Sequence, residues 1–429
     1  MGEHPGRVDA AGAAALIRSR DIVLCGLATG QAIAVLEALG RRSDLEEVVI
    51  YCGLLVRPYA WLTNPGVRVV SGFFGPIERM ARGAGASVEY LPADFHGLER
   101  LALRMKPRVV LASTSLPDAD GWLSFGLHAG ATARPFLEAA ADPLRLAIAE
   151  VNPRMPRILG LAELGGNRVH LSQIDAWVES ETEIVSPPPE EPTAADLAII
   201  ERVLSLVEEG STLQFGIGAV PDGVAQRLAG GSLGDFGIHS ELLSDGVMRL
   251  HQAGKVSNRK GLYDGVSVGT FALGSGELYG WLDENPSVRM LPVSAVNDPA
   301  LLRSLRCFVS VNGALAVDLA GQVAADHVGG RQYSGVGGHE SFVIGASEAP
   351  GGKSILCMRS TAEPGGQRIS TIVPRLSESF TVTTPRHHVQ WVVTEHGAVD
   401  LSVLSDVERA RALTDLAHPD FREGLKETA

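Results

Sequence analysis

The chemistry-bearing stretch of this chain is residues 213–245, LQFGIGAVPDGVAQRLAGGSLGDFGIHSELLSD. An apolar strand runs into the turn Gly216-Ile217-Gly218-Ala219-Val220, a helix is expected after Pro221, and Glu241 follows Phe236-Gly237-Ile238-His239-Ser240. Glycines at a strand end let the backbone come close to a ligand, and the next helix offers unpaired N–H groups to an anion. Proline in the first helical turn with an aspartate beside it fits a helix start. The carboxylate stands about 20 residues downstream, roughly one helix and its return loop. A glutamate of ordinary pKa, about 4.3, is charged at neutral pH and attacks an electrophile without a general base. The turn is not a dinucleotide fingerprint, because Pro221 stands where a third glycine is needed. On its own a lone glutamate is more often a solvated or capping carboxylate.

Strands and helices that alternate must carry these residues. Residues 21–26, 47–51, 67–71 and 109–113 read as apolar strands, 31–40 as a helix with a glycine stop, and 147–151 and 170–175 as further strands. Strands apolar on both faces and separated by helices imply a mostly parallel sheet covered on two sides. The run Ser186-Pro187-Pro188-Pro189-Glu190-Glu191-Pro192 is stiff and polar and reads as a junction. The expected organisation is one α/β domain at 1–186, a linker at 187–193 and a second domain at 194–429. The second opens with a helix at 194–209 and the strand and turn LQFGIG, which loosely echoes IVLCGLA in the first. Strands are expected at 309–312, 354–358, 380–383 and 389–394, and a helix at 406–417.

Composition bounds the function. At 429 residues and 45% hydrophobic the chain is long enough for two cores. A net charge of −13 lacks the basic footprint of a nucleic-acid binder, yet local N–H groups can still hold an anion. The four cysteines are scattered without a CxxC pair, as expected of buried thiols in a reducing cytoplasm. No apolar run reaches about 18 residues, and MGEHPGRVDA lacks a signal-peptide layout. His387-His388 has no neighbouring ligand set, so no metal is expected.

The segments GIGAVP, GIHSELLSDG, YSGVGG and GGKSI resemble the acetyl-CoA hydrolase/transferase family of CoA-transferases, most strongly over residues 213–421. That resemblance implies two similar open α/β domains with the active site in the cleft between them. It implies a CoA-transferase that moves CoA between an acyl-CoA and a carboxylic acid, with coenzyme A as co-substrate, in the cytoplasm and as a homo-oligomer. Carried over residue by residue, Glu241 is the nucleophile, Asn312 and Gly338 are oxyanion donors, and Gly216, Ile217, Gly218, Ala219, Val220, Gly337 and Lys353 bind CoA. Ser124, in GWLSFG, and His339 belong to the substrate side.

The chain also departs from the family. Many relatives carry glutamine and aspartate-phenylalanine after the paired glycines, where His339-Glu340-Ser341-Phe342 stands here. They tend to carry aspartate after Arg386, where this chain has His387-His388. The resemblance sets His339 beside the acyl pocket, where a titratable ring could assist hydrolysis; the equal alternative is a packed histidine with a satisfied ring. Three rivals follow: a thioester hydrolase using the same glutamate, a non-catalytic acyl-CoA-binding relative, and a serine hydrolase built on Gly265-Val266-Ser267-Val268-Gly269.

Overall fold

Short runs of valine, leucine and isoleucine, apolar on both faces, form the parallel strands. The computed structural model describes residues 6–188 and 190–427; Met1–Pro5 of the amino terminus and Pro189 of the proline run lie outside the described residues. The chain divides into two compact units, Met1–Pro187 with Val268–Val296, and Pro188–Ser267 with Asn297–Ala429. The sequence reading placed one junction near 187–193. The contacts instead return residues 268–296 to the first unit, so the chain passes between units three times. The reason lies in hydrogen bonds to the backbone of that segment. Ala129 and Gly130 both donate to Thr270 O at 3.0 Å, Ala272 donates to Leu127 O, and Thr29 Oγ1 donates to Ala272 O.

In the first unit, β1 (Ile22–Cys25), β2 (Val48–Cys52), β3 (Val67–Ser71), β4 (Val88–Tyr90), β5 (Val109–Thr114), β6 (Leu146–Val151) and β7 (Ala176–Glu179) form one sheet. Its order is β4-β3-β2-β1-β5-β6-β7, and every pairing is parallel. Val23, Val48, Ile50, Leu111 and Ile148 are fully buried, as both-face burial demands. Each contributes about 1.5–3 kcal/mol relative to exposure. Helix α1 (Ile33–Gly40) follows β1. The strand expected at 170–175 is absent; Arg168–His170 is a short strand, followed by a 3₁₀ turn, and the sheet strand begins at Ala176.

The second unit opens with α2 (Ala194–Leu204), started by a capping box in which Thr193 N donates to Asp196 Oδ2 at 2.8 Å. Then come β8 (Thr212–Phe215), α3 (Ala219–Gly230), β9 (Gly237–Ile238), β10 (Phe308–Gly313), α4 (His339–Glu348), β11 (Lys353–Cys357), β12 (Trp391–Thr394) and β13 (Gly397–Asp400). The sheet order is β9-β8-β10-β11-β12-β13, parallel except for the last pair. Helix α3 starts at Ala219, two residues before the proline expected to precede it. Pro221 still fits there, because an N–H in the first turn has no helical partner to lose. Residues 380–383 form no strand.

In each unit the first strand is where strand order reverses, β1 between β2 and β5, and β8 between β9 and β10. The crevice outside the carboxyl ends at such a reversal is where open α/β sheets take their ligands. The architecture is thus α/β with two mostly parallel sheets.

Candidate active site

At the reversal in the second unit, the ends of β8 and β10 come very close. A Cβ on Gly216 would stand 3.1 Å from Asn312 Oδ1 and 3.3 Å from Val311 O, so those atoms would have to give by a few tenths of an ångström. Gly218 takes φ 124°, a conformation side chains rarely adopt, and caps α3. Ile217 is exposed between the two glycines, and Ala219 and Val220 are half-buried in the first helical turn.

Glu241 is positioned by its neighbours in the chain. His239 N donates to Leu213 O, extending the β9 pairing. The buried Ser240 bonds both the N–H and the C=O of Phe215 at 3.3 Å through its hydroxyl. The backbone is therefore clamped on β8 one residue before the half-buried glutamate. Its Oε2 accepts from Asn297 Nδ2 at 2.5 Å. Asn297 is fully buried. A carboxylate only accepts, so the amide must turn its nitrogen toward Glu241. Asn297 escaped the sequence reading. Its one local signal, Asn297-Asp298-Pro299, reads as a helix start, and Asp298 does accept from Ala300 N at 2.8 Å.

Gly338 closes the other side. A Cβ there would lie 2.1 Å from Glu241 Oε2, 2.4 Å from Asn297 Nδ2 and 2.8 Å from Phe342 Cε2. Only glycine lets the backbone reach the carboxylate so closely. Gly337 has φ 56°, and Gly338 begins α4. No described group accepts from the N–H of either glycine.

Other expected site residues fall elsewhere. The Asn312 amide is taken up by Gln214: Asn312 Nδ2 donates to Gln214 Oε1 at 3.0 Å, and Gln214 Nε2 donates back to Asn312 Oδ1 at 3.1 Å. The amide on the glutamate is Asn297's. Lys353 is the first residue of β11, aligned with Val309, whereas Asn312 aligns with Leu356. At about 3.3 Å per residue this puts Lys353 roughly 10 Å away, at the amino end of the strands, where such sheets do not take ligands. Its ammonium pairs with Glu208 at 2.5 Å and holds that carboxyl below its ordinary range. Ser124, in the first unit, is 2% exposed; its hydroxyl donates to Ile158 O and accepts from Gly126 N and Ile158 N. Its bonds hold the loop. His339, at the start of α4, is buried, with Nε2 2.9 Å from Thr384 Oγ1. Burial pushes its pKa down, against the opposing charges of Glu340 and Asp326.

The serine-hydrolase pattern also fails on geometry. Ser267 is fully buried on a short strand, with His251 Nε2 at 2.8 Å and Asn258 Nδ2 donating at 3.1 Å. The next element is another short strand, Phe271–Ala272, where a nucleophile elbow opens a helix. Among the described residues, no group of three or more His, Cys, Asp or Glu side chains is placed to hold a metal ion. No helix among them is long and apolar enough to cross a membrane.

The acetyl-CoA hydrolase/transferase C-terminal domain matches residues 274–429. The 4-hydroxybutyrate coenzyme A transferase of Clostridium kluyveri is 40% identical over 82% of this chain and 80% of its own. The chain belongs to the acetyl-CoA hydrolase/transferase family. The butyryl-CoA:acetate CoA-transferase of Anaerostipes caccae is 33% identical over 96% of this transferase and 93% of its own length. The crystal structure of RipA from Yersinia pestis superposes with a TM-score of 0.91 at 34% identity, over 99% of this chain and 97% of that one. The resemblance expected from GIGAVP, GIHSELLSDG and YSGVGG is borne out at the level of family and of CoA-transferase activity.

Proposed function

We propose that the transferase exchanges CoA between an acyl-CoA and a carboxylic acid by covalent catalysis at Glu241. The observation that carries this is a carboxylate clamped by a buried amide against a side-chain-free backbone, beside a ligand-accepting strand reversal. The carboxylate attacks the thioester carbonyl carbon. The C–S bond breaks, leaving an acyl-glutamyl anhydride and CoA thiolate. The thiolate adds to the γ-carbonyl of Glu241, expels the acyl group as a free carboxylate, and leaves a glutamyl-CoA thioester. A second acid reverses both steps and departs as the new acyl-CoA.

Each addition places negative charge on a former carbonyl oxygen, which fixed donors stabilise. Asn297 Nδ2 and the N–H groups of Gly337 and Gly338 are the donors at hand. The backbone of Gly216–Val220 and the start of α3 are suited to the phosphates of CoA, since helix N-termini favour anions. Hydrolysis through the same glutamate is the alternative, with water in place of the acceptor acid. Incubation with acyl-CoA followed by borohydride or hydroxylamine tests the reading. Mass spectrometry is expected to find the modification at Glu241; a trapped label at any other residue, or none, sinks it. A Glu241→Gln variant should lose turnover and still bind CoA.

A further inference from the structure

Two buried amides meet at the carboxyl ends of β8 and β10. Gln214 aligns with Ser310 and Phe215 with Val311, so the same register sets Gly216 opposite Asn312. Gly216 N donates to Val311 O at 2.9 Å, carrying the ladder one step beyond β8. Alternate residues of a strand point to the same side, which puts Gln214, Gly216 and Asn312 on one face of the sheet. Gln214 and Asn312 are thus diagonal neighbours, and the asparagine side chain leans back past Gly216 to exchange both hydrogen bonds with the glutamine. Position 216 leaves it room: a Cβ there would stand 3.1 Å from Asn312 Oδ1. Among the described residues, each of these side chains has the other as its only side-chain hydrogen-bond partner. Two amides that satisfy only each other gain little over an apolar pair of the same shape, so stability does not account for them.

Their place does. Gly216 opens the turn to α3, where no described group accepts from the N–H of Ile217 or Gly218. Ser240 grips Phe215 by its N–H and C=O, so the last residues of β8 are held by Ser240 and, through Gln214 and Gly216, by Asn312. We propose that the Gln214–Asn312 pair is a positioning device for CoA binding, bracing Gly216 so that the N–H groups after it stand ready for the diphosphate. The inference rests on the reading that this turn takes the phosphates of CoA. Neither amide is asked to touch substrate. Glu241 has its own supports in Ser240 and Asn297, so loosening the pair should weaken CoA binding and spare the chemical step.

Steady-state transfer from acyl-CoA, set against the matching acyl-pantetheine that lacks the diphosphate, tests this. Methionine and leucine are close in shape to glutamine and asparagine, so Q214M/N312L keeps the packing and removes both hydrogen bonds. Its KM for acyl-CoA is expected to rise about tenfold, the upper worth of one neutral hydrogen bond, with kcat within about twofold of wild type. Such a split marks lost binding, not lost transition-state contact. The kcat/KM for acyl-pantetheine should not move. An unchanged KM for acyl-CoA, an equal loss with acyl-pantetheine, or a fall in kcat alone overturns the proposal. If the double variant does not fold, N312A is read by the same criteria. Gly218→Ala, strained at φ 124°, separates the two failures. If it too leaves the KM for acyl-CoA unchanged, the turn does not hold the phosphates and the underlying reading goes. If it raises that KM while the amide variants do not, only the role of the pair goes.

Discussion

Replacing Gly338 by alanine puts one methyl carbon where the Glu241 carboxylate now sits. The new carbon would lie 2.1 Å from Oε2 and 2.4 Å from Asn297 Nδ2, and real Cβ atoms essentially never approach closer than 3.0 Å. The oxygen must therefore retreat by about 1 Å, and the amide that holds it by somewhat less. A misplacement of about 1 Å in a reacting group costs on the order of 100-fold in rate, or about 2.7 kcal/mol of activation free energy. Stability should suffer less, because the carboxylate is half-buried and has room to swing away. Steady-state transfer between an acyl-CoA and acetate measures the first effect, and thermal unfolding the second. Gly280→Ala is the matched control, since a Cβ there meets nothing within 4 Å. If Gly338→Ala transfers CoA at the wild-type rate while folded, the backbone does not constrain Glu241 and the site has been misread.

Asn297→Ala removes the amide on Glu241 Oε2. Hydrogen bonds to charged groups are worth about 1.5–3 kcal/mol, so kcat is expected to fall roughly 10- to 100-fold, read by the same transfer assay. Lys353→Met should leave the KM for acyl-CoA within about twofold of wild type, because only an ion pair with the exposed Glu208 is lost; a large rise would return the lysine to the site. His128 is fully buried and burial depresses its pKa to about 3, against an ordinary 6.5. The unfolded chain therefore binds the proton first, and stability is lost as pH falls from about 6.5 towards 3, by roughly 2 kcal/mol at pH 5. Denaturant titrations at pH 7 and pH 5 should show that loss in the wild type and a smaller one in His128→Gln.

Short-range signals made much of this molecule legible. The β3 strand, Val67–Ser71, coincides with its sequence reading, because an apolar run between turn residues states its own limits. Glycine turns after β8 and before α4 were recognisable since only glycine suits such approaches. What escaped depends on residues distant in sequence. Asn297 carries no motif, and its amide acquires meaning only opposite Glu241. Asn312 drew attention by its place in a familiar segment, but Gln214, 98 residues away, occupies its amide. Lys353 was expected to bind CoA from its glycine-flanked segment, and only the strand register shows that it starts its strand at the opposite end from Asn312. The histidines at 339 and 388 stood out separately as departures, and nothing in the order of residues said that Glu340 and Thr384 would join them.

The return of residues 268–296 has a practical consequence for anyone wishing to express the halves alone. A fragment cut at Pro187 would lack the peptide groups at Thr270 and Ala272 that satisfy Leu127, Ala129 and Gly130. It would leave those backbone groups without the partners they have in the whole chain, and should be recovered as inclusion bodies. A separable version needs that excursion grafted onto the amino-terminal piece and the gap between Ser267 and Asn297 bridged in the other.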